Sequence, residues 1–407
     1  MIHPSKFIIG EKSQRLKGKT ILLGVTSSAA IYRSLDLTRE LMRHGAEVHV
    51  IMSPEATKLI SPELFAWASS NRVLTELSGE IEHIQLTQNP DNKVLIIAPA
   101  TANTITKISL GIADNALLTT ALAAIGNRIP TIIVPAMHLS LWNNPNVQKA
   151  IRNLEELGIT IIKPNIVKRK AKYPRIEDIV EHVFRITSPK NLIGKKVLVT
   201  AGSTRVYIDS IRFISNPSSG KMGVAMALEA WIRGADVTLL LAKHADHGYT
   251  IPQDIRVRYF ETYDDIRDIL IEEIAHHDIF IHAAAVSDYA PEKRPDKKIP
   301  SGKLLTLHLK PTEKLLDLAR KANENAYVVA FKAEWKKTDE ELIQKAQTYI
   351  EKETADAVVA NDVSRGIFGS DETEVVLVYR KNSTIFTKKL IGNKRIVGSE
   401  ILATLFE

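Results

Sequence analysis

The sequence predicts an α/β protein of two Rossmann-like three-layer domains, the second carrying a C-terminal β-hairpin. Three observations point there. Short apolar runs alternate with helical stretches of about 10–15 residues, the signature of a parallel sheet covered on both faces. The alternation breaks at Thr187–Gly194, TSPKNLIG, and restarts directly after it. At 407 residues the chain is also long for a single core. Domains are therefore expected at 1–188 and 189–407.

In the first half, Thr20–Val25 reads as a strand. Ile31, Leu35, Leu37, Leu41 and Met42 then recur at helical spacing. His44-Gly45 stops that helix ahead of a strand at Glu47–Met52. Further strands are expected at Val94–Ile97, Thr131–Val134 and near Ile159, with helices around Thr106 and Ala116. In the second half, strand Lys196–Thr200 leads through a loop to a helix over Gly220–Arg233. Strands follow at Asp236–Leu241, Ile279–Ala283, Tyr327–Phe331 and Ala357–Ala360. Glu374–Tyr379 and Thr384–Lys388 alternate around Lys381-Asn382-Ser383 and read as the hairpin.

Hydrophobic residues at 44% and charged residues at 25% give the balance of a globular protein. The net charge of +7 comes without a basic run or RNA-binding signature, which argues against a nucleic-acid role and suits anionic small molecules. The absence of cysteine excludes disulfides, thiolate-ligated zinc, iron–sulfur clusters and a cysteine nucleophile. It also fits an intracellular, hot-living source rich in Lys, Arg and Glu. No apolar run reaches the roughly 18–20 residues of a membrane helix, and the first residues lack a signal-peptide core. No membrane association and a cytoplasmic location are expected.

The loop Gly24-Val25-Thr26-Ser27-Ser28 leaves a strand and opens a helix, so its hydroxyls and free amides suit a phosphate, or simply a helix cap. It is not G-x-G-x-x-G, which argues against a nicotinamide-dependent reductase. Ser53 ends the next strand at the same carboxyl edge, where open α/β sheets bind ligands. Ala98-Pro99-Ala100-Thr101-Ala102-Asn103-Thr104 places small polar residues where a ring system can lie against backbone. Val134-Pro135-Ala136-Met137-His138 follows another strand.

Read together with GVTSSAAIYR, His83-Ile84 and GIADNALLTT, these stretches resemble the homo-oligomeric flavin-containing cysteine decarboxylases. They resemble more closely the phosphopantothenoylcysteine decarboxylase part of the fused coenzyme A enzyme, in an archaeal-type form, from about Lys17 to Val183. The resemblance implies FMN on Gly24, Thr26, Ser27, Ser28, Ser53, Thr101, Asn103 and Thr104, with His83 as catalytic histidine. His138 stands where the family has Asn in P-x-M-N, and either side chain can hydrogen-bond a substrate carboxylate. The family's flap carries a proton-donating Cys. Here Lys163–Glu177 is basic and has none, so the donor is unassigned. Lys168–Lys172 suits either a substrate phosphate or solvent.

In the second half, Thr200-Ala201-Gly202-Ser203-Thr204-Arg205 follows a strand. Ile208-Asp209 then precedes Arg212-Phe213-Ile214-Ser215-Asn216-Pro217-Ser218-Ser219-Gly220-Lys221-Met222-Gly223. Hydroxyls, an amide, Gly and Lys before a helix suit a phosphate or phosphoanhydride, although the Walker spacing is absent. The run resembles the signature of phosphopantothenate–cysteine ligase, and the similarity extends to about Gly369. It takes in Ala283-Ala284-Ala285-Val286-Ser287-Asp288-Tyr289, Lys298-Ile299, Ala330-Phe331-Lys332-Ala333-Glu334 and Ala360-Asn361-Asp362-Val363-Ser364.

That resemblance implies a substrate carboxylate attacking the α-phosphate of CTP, with Mg²⁺, and a cysteine amine displacing CMP from the acyl-cytidylate. Fixed amides, lysine and Mg²⁺ would stabilise the phosphate charge. It assigns Asn216 to the acyl intermediate and Lys298 to the phosphates or the conversion of the intermediate. Ser218, Ser219, Gly220, Lys221, Ala283, Ala284, Asp288, Phe331 and Lys352 would contact CTP. Tyr349 falls at a second lysine position of the family, and Ala330 replaces a Gly. The substrates are then phosphopantothenate, cysteine and CTP, and a homo-oligomer is implied, trimeric through the flavin domain and dimeric through the ligase domain. The alternative is a ligase whose flavin half is inactive or only oligomerises.

Overall fold

A computed structural model describes residues 3–293, 296–302, 304–365 and 369–407. The chain divides into two compact units, Met1–Ser188 and Pro189–Glu407.

The first unit is built on a five-stranded parallel sheet. Its strands are β1 (Thr20–Val25), β2 (Glu47–Met52), β3 (Lys93–Ala100), β4 (Thr131–Pro135) and β5 (Thr160–Ile161), in the order β2-β1-β3-β4-β5. Ile21, Leu22, Leu23 and Val25 are all completely buried, which is why the strand reads as an unbroken apolar run. Strand order reverses between β1 and β3, so the loops after them diverge and leave a crevice at their carboxyl ends. Between β2 and β3 the chain forms the short helices Pro54–Thr57, Pro62–Ser69 and Glu82–Thr87. His83 lies in the last of these. The basic stretch after β5 folds as a small ribbon, Asn165–Val167 against Lys170–Lys172, which pairs with Met137–His138.

The second unit holds an eight-stranded mixed sheet. Its strands are β6 (Lys196–Ala201), β7 (Asp236–Ala242), β8 (Arg256–Phe260), β9 (Ile279–His282), β10 (Tyr327–Glu334), β11 (Ala357–Asp362), β12 (Glu372–Lys381) and β13 (Thr384–Asn393), in the order β8-β7-β6-β9-β10-β11-β12-β13. The first six are parallel, in the dinucleotide-fold order, with the reversal between β6 and β9. The expected hairpin is β12–β13, and it extends this sheet by antiparallel pairing onto β11. Its loop is shorter than the three residues read from sequence. Asn382 (φ 50°) and Ser383 (φ 65°) alone make the turn, both left-handed as a two-residue type I′ turn requires. Helix Lys394–Phe406 follows β13.

Two candidate active sites at the strand-order reversals

In the first unit, hydrogen bonds tie three loops together at the reversal point. The Thr26 hydroxyl donates to the Pro99 carbonyl (2.7 Å) and accepts from the Thr101 amide (3.2 Å), and the Ser28 hydroxyl donates to the Ala136 carbonyl (3.3 Å). The Ser53 amide donates to the Val25 carbonyl, bringing the end of β2 alongside (3.0 Å). Gly24, Thr26, Ser27, Ser28, Ser53, Thr101, Asn103 and Thr104 therefore sit on one carboxyl edge. Thr26 is 1% exposed, so its hydroxyl shapes the loop from within. The Ser53 and Thr101 side chains each cap a helix, accepting from the Ala56 and Thr104 amides. Ser27 and Ser28 remain the partly exposed hydroxyls of the first loop.

His83 is partly buried, and its Nδ1 is buried without a hydrogen-bond partner. Such an atom is costly unless a ligand or water supplies the bond. His138 is exposed and lies opposite Lys170 in the ribbon. The Ser27 and Ser28 hydroxyls at a βα turn fit a phosphorylated group, and FMN answers that description.

In the second unit a cavity of about 690 Å³ opens at the reversal between β6 and β9. Its walls include Asn216, Ser218, Ser219, Gly220, Lys221, Ala283, Ala284, Asp288, Phe331 and Lys352, together with Tyr349 and Asn361. Lys298 is the exception among the sequence-derived residues, being exposed and outside the walls. Gly220 takes φ +78° as N-cap of helix Lys221–Ile232, a left-handed conformation that suits glycine. Gly220 offers no side chain to cap that helix, and its first amide, from Lys221, makes only a long bond to the Ser219 hydroxyl (3.4 Å) that a ligand can replace. Asn216 is held by a bond from its Nδ2 to the Ala285 carbonyl (3.4 Å).

Five lysines (Lys221, Lys314, Lys332, Lys352, Lys394) face three carboxylates (Asp288, Glu313, Asp317) around the walls, so the cavity favours an anion. Asp288 is engaged by Lys314 at 2.5 Å, and this partner raises the Lys314 pKa. His282 also lines the cavity. The Thr200 hydroxyl accepts from the Ala284 amide (3.1 Å) and lies 2.9 Å from His282 Nδ1. The hydroxyl keeps a second lone pair and its own proton, so it pairs with Nδ1 in either imidazole tautomer. Burial lowers the His282 pKa to about 4, so the ring is neutral.

His282, Lys314 and Lys394 escaped the sequence reading because none belongs to a recognisable motif. His282 does stand directly before Ala283-Ala284-Ala285, the one signal that marked its place.

Asp209 organises the approach to this cavity. Its completely buried carboxylate accepts from the amides of Ile211 (2.8 Å), Arg212 (2.7 Å) and Ile299 (3.1 Å) and from the Arg212 guanidinium (2.9 Å). These bonds fix Ile299, and with it the backbone beside Lys298, against the ribbon Arg205–Tyr207/Phe213–Ser215. The Arg212 amide, followed by the other amides and the guanidinium, overrides burial and lowers the Asp209 pKa to about 2. A depressed carboxylate stabilises the fold above its unfolded value near ~4 and loses that contribution as pH falls through about 2. Asp209→Asn is therefore expected to melt below the unmodified protein at pH 6, with the gap closing between pH ~4 and ~2. A gap unchanged with pH in thermal melts would refute the assignment.

Family comparison agrees with this division. The Flavoprotein family matches residues 9–188, and the DNA/pantothenate metabolism flavoprotein C-terminal domain family matches 192–407. The chain is 44% identical over 394 residues to the coenzyme A biosynthesis bifunctional protein CoaBC of Thermococcus kodakarensis, covering 96% of this chain and 95% of that one. It is 38% identical over 404 residues to the protein of the same name from Methanocaldococcus jannaschii (99% and 97% covered). To that of Borreliella burgdorferi it is 30% identical over 406 residues (96% and 100%). With both halves matched in order and relatives aligned nearly end to end, the chain belongs to the family of bifunctional coenzyme A biosynthesis proteins CoaBC.

Proposed function

We propose that this protein joins phosphopantothenate to cysteine with CTP in residues 189–407 and decarboxylates the resulting phosphopantothenoylcysteine in residues 1–188. The observation that carries the ligase assignment is the lysine-rich cavity at the β6–β9 reversal, where an uncapped helix start and the Asn216–Lys221 loop share one wall. A carboxylate oxygen bonds to the α-phosphorus of CTP, and pyrophosphate leaves with the electron pair. The cysteine amine then attacks the acyl carbon, CMP leaves, and the amine proton passes to solvent.

The amides of Ser219 and Gly220 and the Lys221 ammonium meet the charge that grows on the phosphates, the term that dominates such catalysis. Asn216 holds the acyl intermediate for the amine, and Asp288 and Phe331 contact the nucleotide. Lys298, on the stretch that Asp209 anchors and off the cavity walls in this structure, serves the phosphates or the conversion of the intermediate. Mg²⁺ arrives on the triphosphate. Among the described residues no group of three or more His, Asp or Glu could hold a metal alone.

In the first unit, FMN held by Gly24, Ser27, Ser28, Ser53, Thr101, Asn103 and Thr104 supplies the electron sink that lets a carboxylate depart. Thr26 shapes that cradle. His83 manages the proton, and His138 hydrogen-bonds the substrate carboxylate. We further propose a cytoplasmic homo-oligomer, trimeric through the first unit and dimeric through the second. No helix among the described residues is long and apolar enough to cross a membrane.

Pure protein given phosphopantothenate, cysteine, CTP and Mg²⁺ should release pyrophosphate, CMP and carbon dioxide and yield phosphopantetheine. Stalling at phosphopantothenoylcysteine would overturn the decarboxylase half, and no pyrophosphate would overturn the ligase half. His83→Ala should cut carbon dioxide release by at least ~100-fold, the scale of one general acid–base group. It should leave pyrophosphate release unchanged. Equal loss of both activities would count against the role given to His83.

A further inference from the structure

Lys394 belongs to no motif of the sequence, and it is the first residue of the C-terminal helix Lys394–Phe406. It lines the nucleotide cavity although only 6% of it is exposed. Its Nζ donates to the carbonyl oxygen of Ser370. Most of its other surroundings disfavour a cation. A helix begins with its positive end, and Lys394 sits there. Lys221, which opens the uncapped helix Lys221–Ile232, repels it. Asp371 is the nearby anion, and its carboxylate is already paired with Lys221 at 2.8 Å. The next residue, Arg395, is bound to Glu229 at 2.6 Å, so that carboxylate is also engaged. Burial and Lys221 lower the Lys394 pKa, and Asp371 only partly opposes them. Two lysines and the start of helix Lys221–Ile232 thus place positive potential on one wall of the cavity, which a polyanion would relieve.

We propose that Lys394 binds the β- and γ-phosphates of the nucleotide and then the departing pyrophosphate, and so makes the cavity prefer a triphosphate to a monophosphate. The proposal rests on the reading of this cavity as the CTP site. As the bond between the α-phosphorus and its bridging oxygen breaks, the electron pair moves onto pyrophosphate, and the Lys394 ammonium meets the added charge without transferring its proton. A purely structural lysine, tethering the Ser370 carbonyl, would not tell CTP from CMP.

The test is calorimetry of the full-length protein with CTP, CMP and inorganic pyrophosphate, for the unmodified chain, Lys394→Gln and Lys394→Arg. Lys394→Gln should weaken CTP and pyrophosphate by about 10- to 100-fold, the scale of a hydrogen bond to a charged group. CMP affinity should stay within about twofold, and Lys394→Arg should restore most of the loss. In buffers of differing ionisation enthalpy between pH 8 and 10, CTP binding to the unmodified protein should take up protons, and Lys394→Gln should abolish that uptake. Unchanged CTP and pyrophosphate affinity in Lys394→Gln, or equal weakening of CTP and CMP, would overturn the proposal and leave the nucleotide site standing. If Lys394→Gln fails to fold, absence of proton uptake by the unmodified protein overturns it instead. Failure of the unmodified protein to bind either nucleotide would overturn the site itself.

Discussion

Replacing Gly223 with valine is expected to abolish ligase activity while the first unit still decarboxylates phosphopantothenoylcysteine supplied to it. A Cβ at Gly223 would lie 2.6 Å from both the Thr200 carbonyl oxygen and the Ala201 Cβ, and 2.9 Å from the Ala201 Cα. These are β6 atoms in the centre of the sheet and cannot swing aside as a flexible side chain would. The helix Lys221–Ile232 must then back away from the strand, and Gly220 and Lys221 move with it. Overpacking of this kind costs about 1–3 kcal/mol in stability, and more when backbone must shift. The catalytic loss should be larger still, because a displacement near 1 Å at a positioned site can cost about 100-fold. CTP titration and thermal melts would measure both effects. Native CTP affinity in Gly223→Val would show that the start of this helix does not form the phosphate site.

The second large effect concerns the C-terminal helix. Glu229 is 1% exposed, and its carboxylate accepts from Arg395 Nε at 2.6 Å. This pair joins the helix that caps the phosphate loop to the helix that begins at Lys394. Arg395→Ala removes a partner from a buried carboxylate, a change that costs about 3–5 kcal/mol. For a unit of this size that corresponds to a fall of roughly 6–20 °C in melting temperature. The double change Glu229→Leu with Arg395→Met should recover much of the loss, since it removes both charges rather than stranding one. A fall below about 1 kcal/mol for Arg395→Ala would show that the pair contributes little. Arg233 offers a contrast. Its partner Glu407 is 48% exposed, so solvent already screens that bond, and a smaller effect is expected from removing Glu407.

The legible parts of this fold are those buried on both faces. β1, β3, β6 and β9 announce themselves as uninterrupted apolar runs, and Gly45 and Gly220 mark helix ends where the backbone turns left-handed. β8 was missed. Its sequence RVRYF places Arg256, Arg258 and Tyr259 in an edge strand with exposed positions, where no apolar run is required. The three-residue ribbons were missed for a related reason: three residues are too few to show a period. At the sites, local motifs revealed the loops that follow β1, β3, β6 and β9, because each loop carries its own chemistry. They did not reveal Lys314 or Lys394, which reach the cavity from helix starts remote in sequence. Nor did they show that the Thr26 hydroxyl is consumed inside the loop, or that Lys298 stands off the cavity walls.

The Thr200–His282 bond has a consequence for how the ligase half would respond to acidity. An imidazole that protonates only near pH 4 stays the same species throughout the range where enzymes work. Among five ammonium groups it contributes direction without charge. A partner for its other ring nitrogen is chosen by where that atom points, and such a choice is indifferent to both salt and pH. Any pH optimum of amide synthesis should therefore be sought in the incoming amine, the phosphates and Lys394 rather than in this ring.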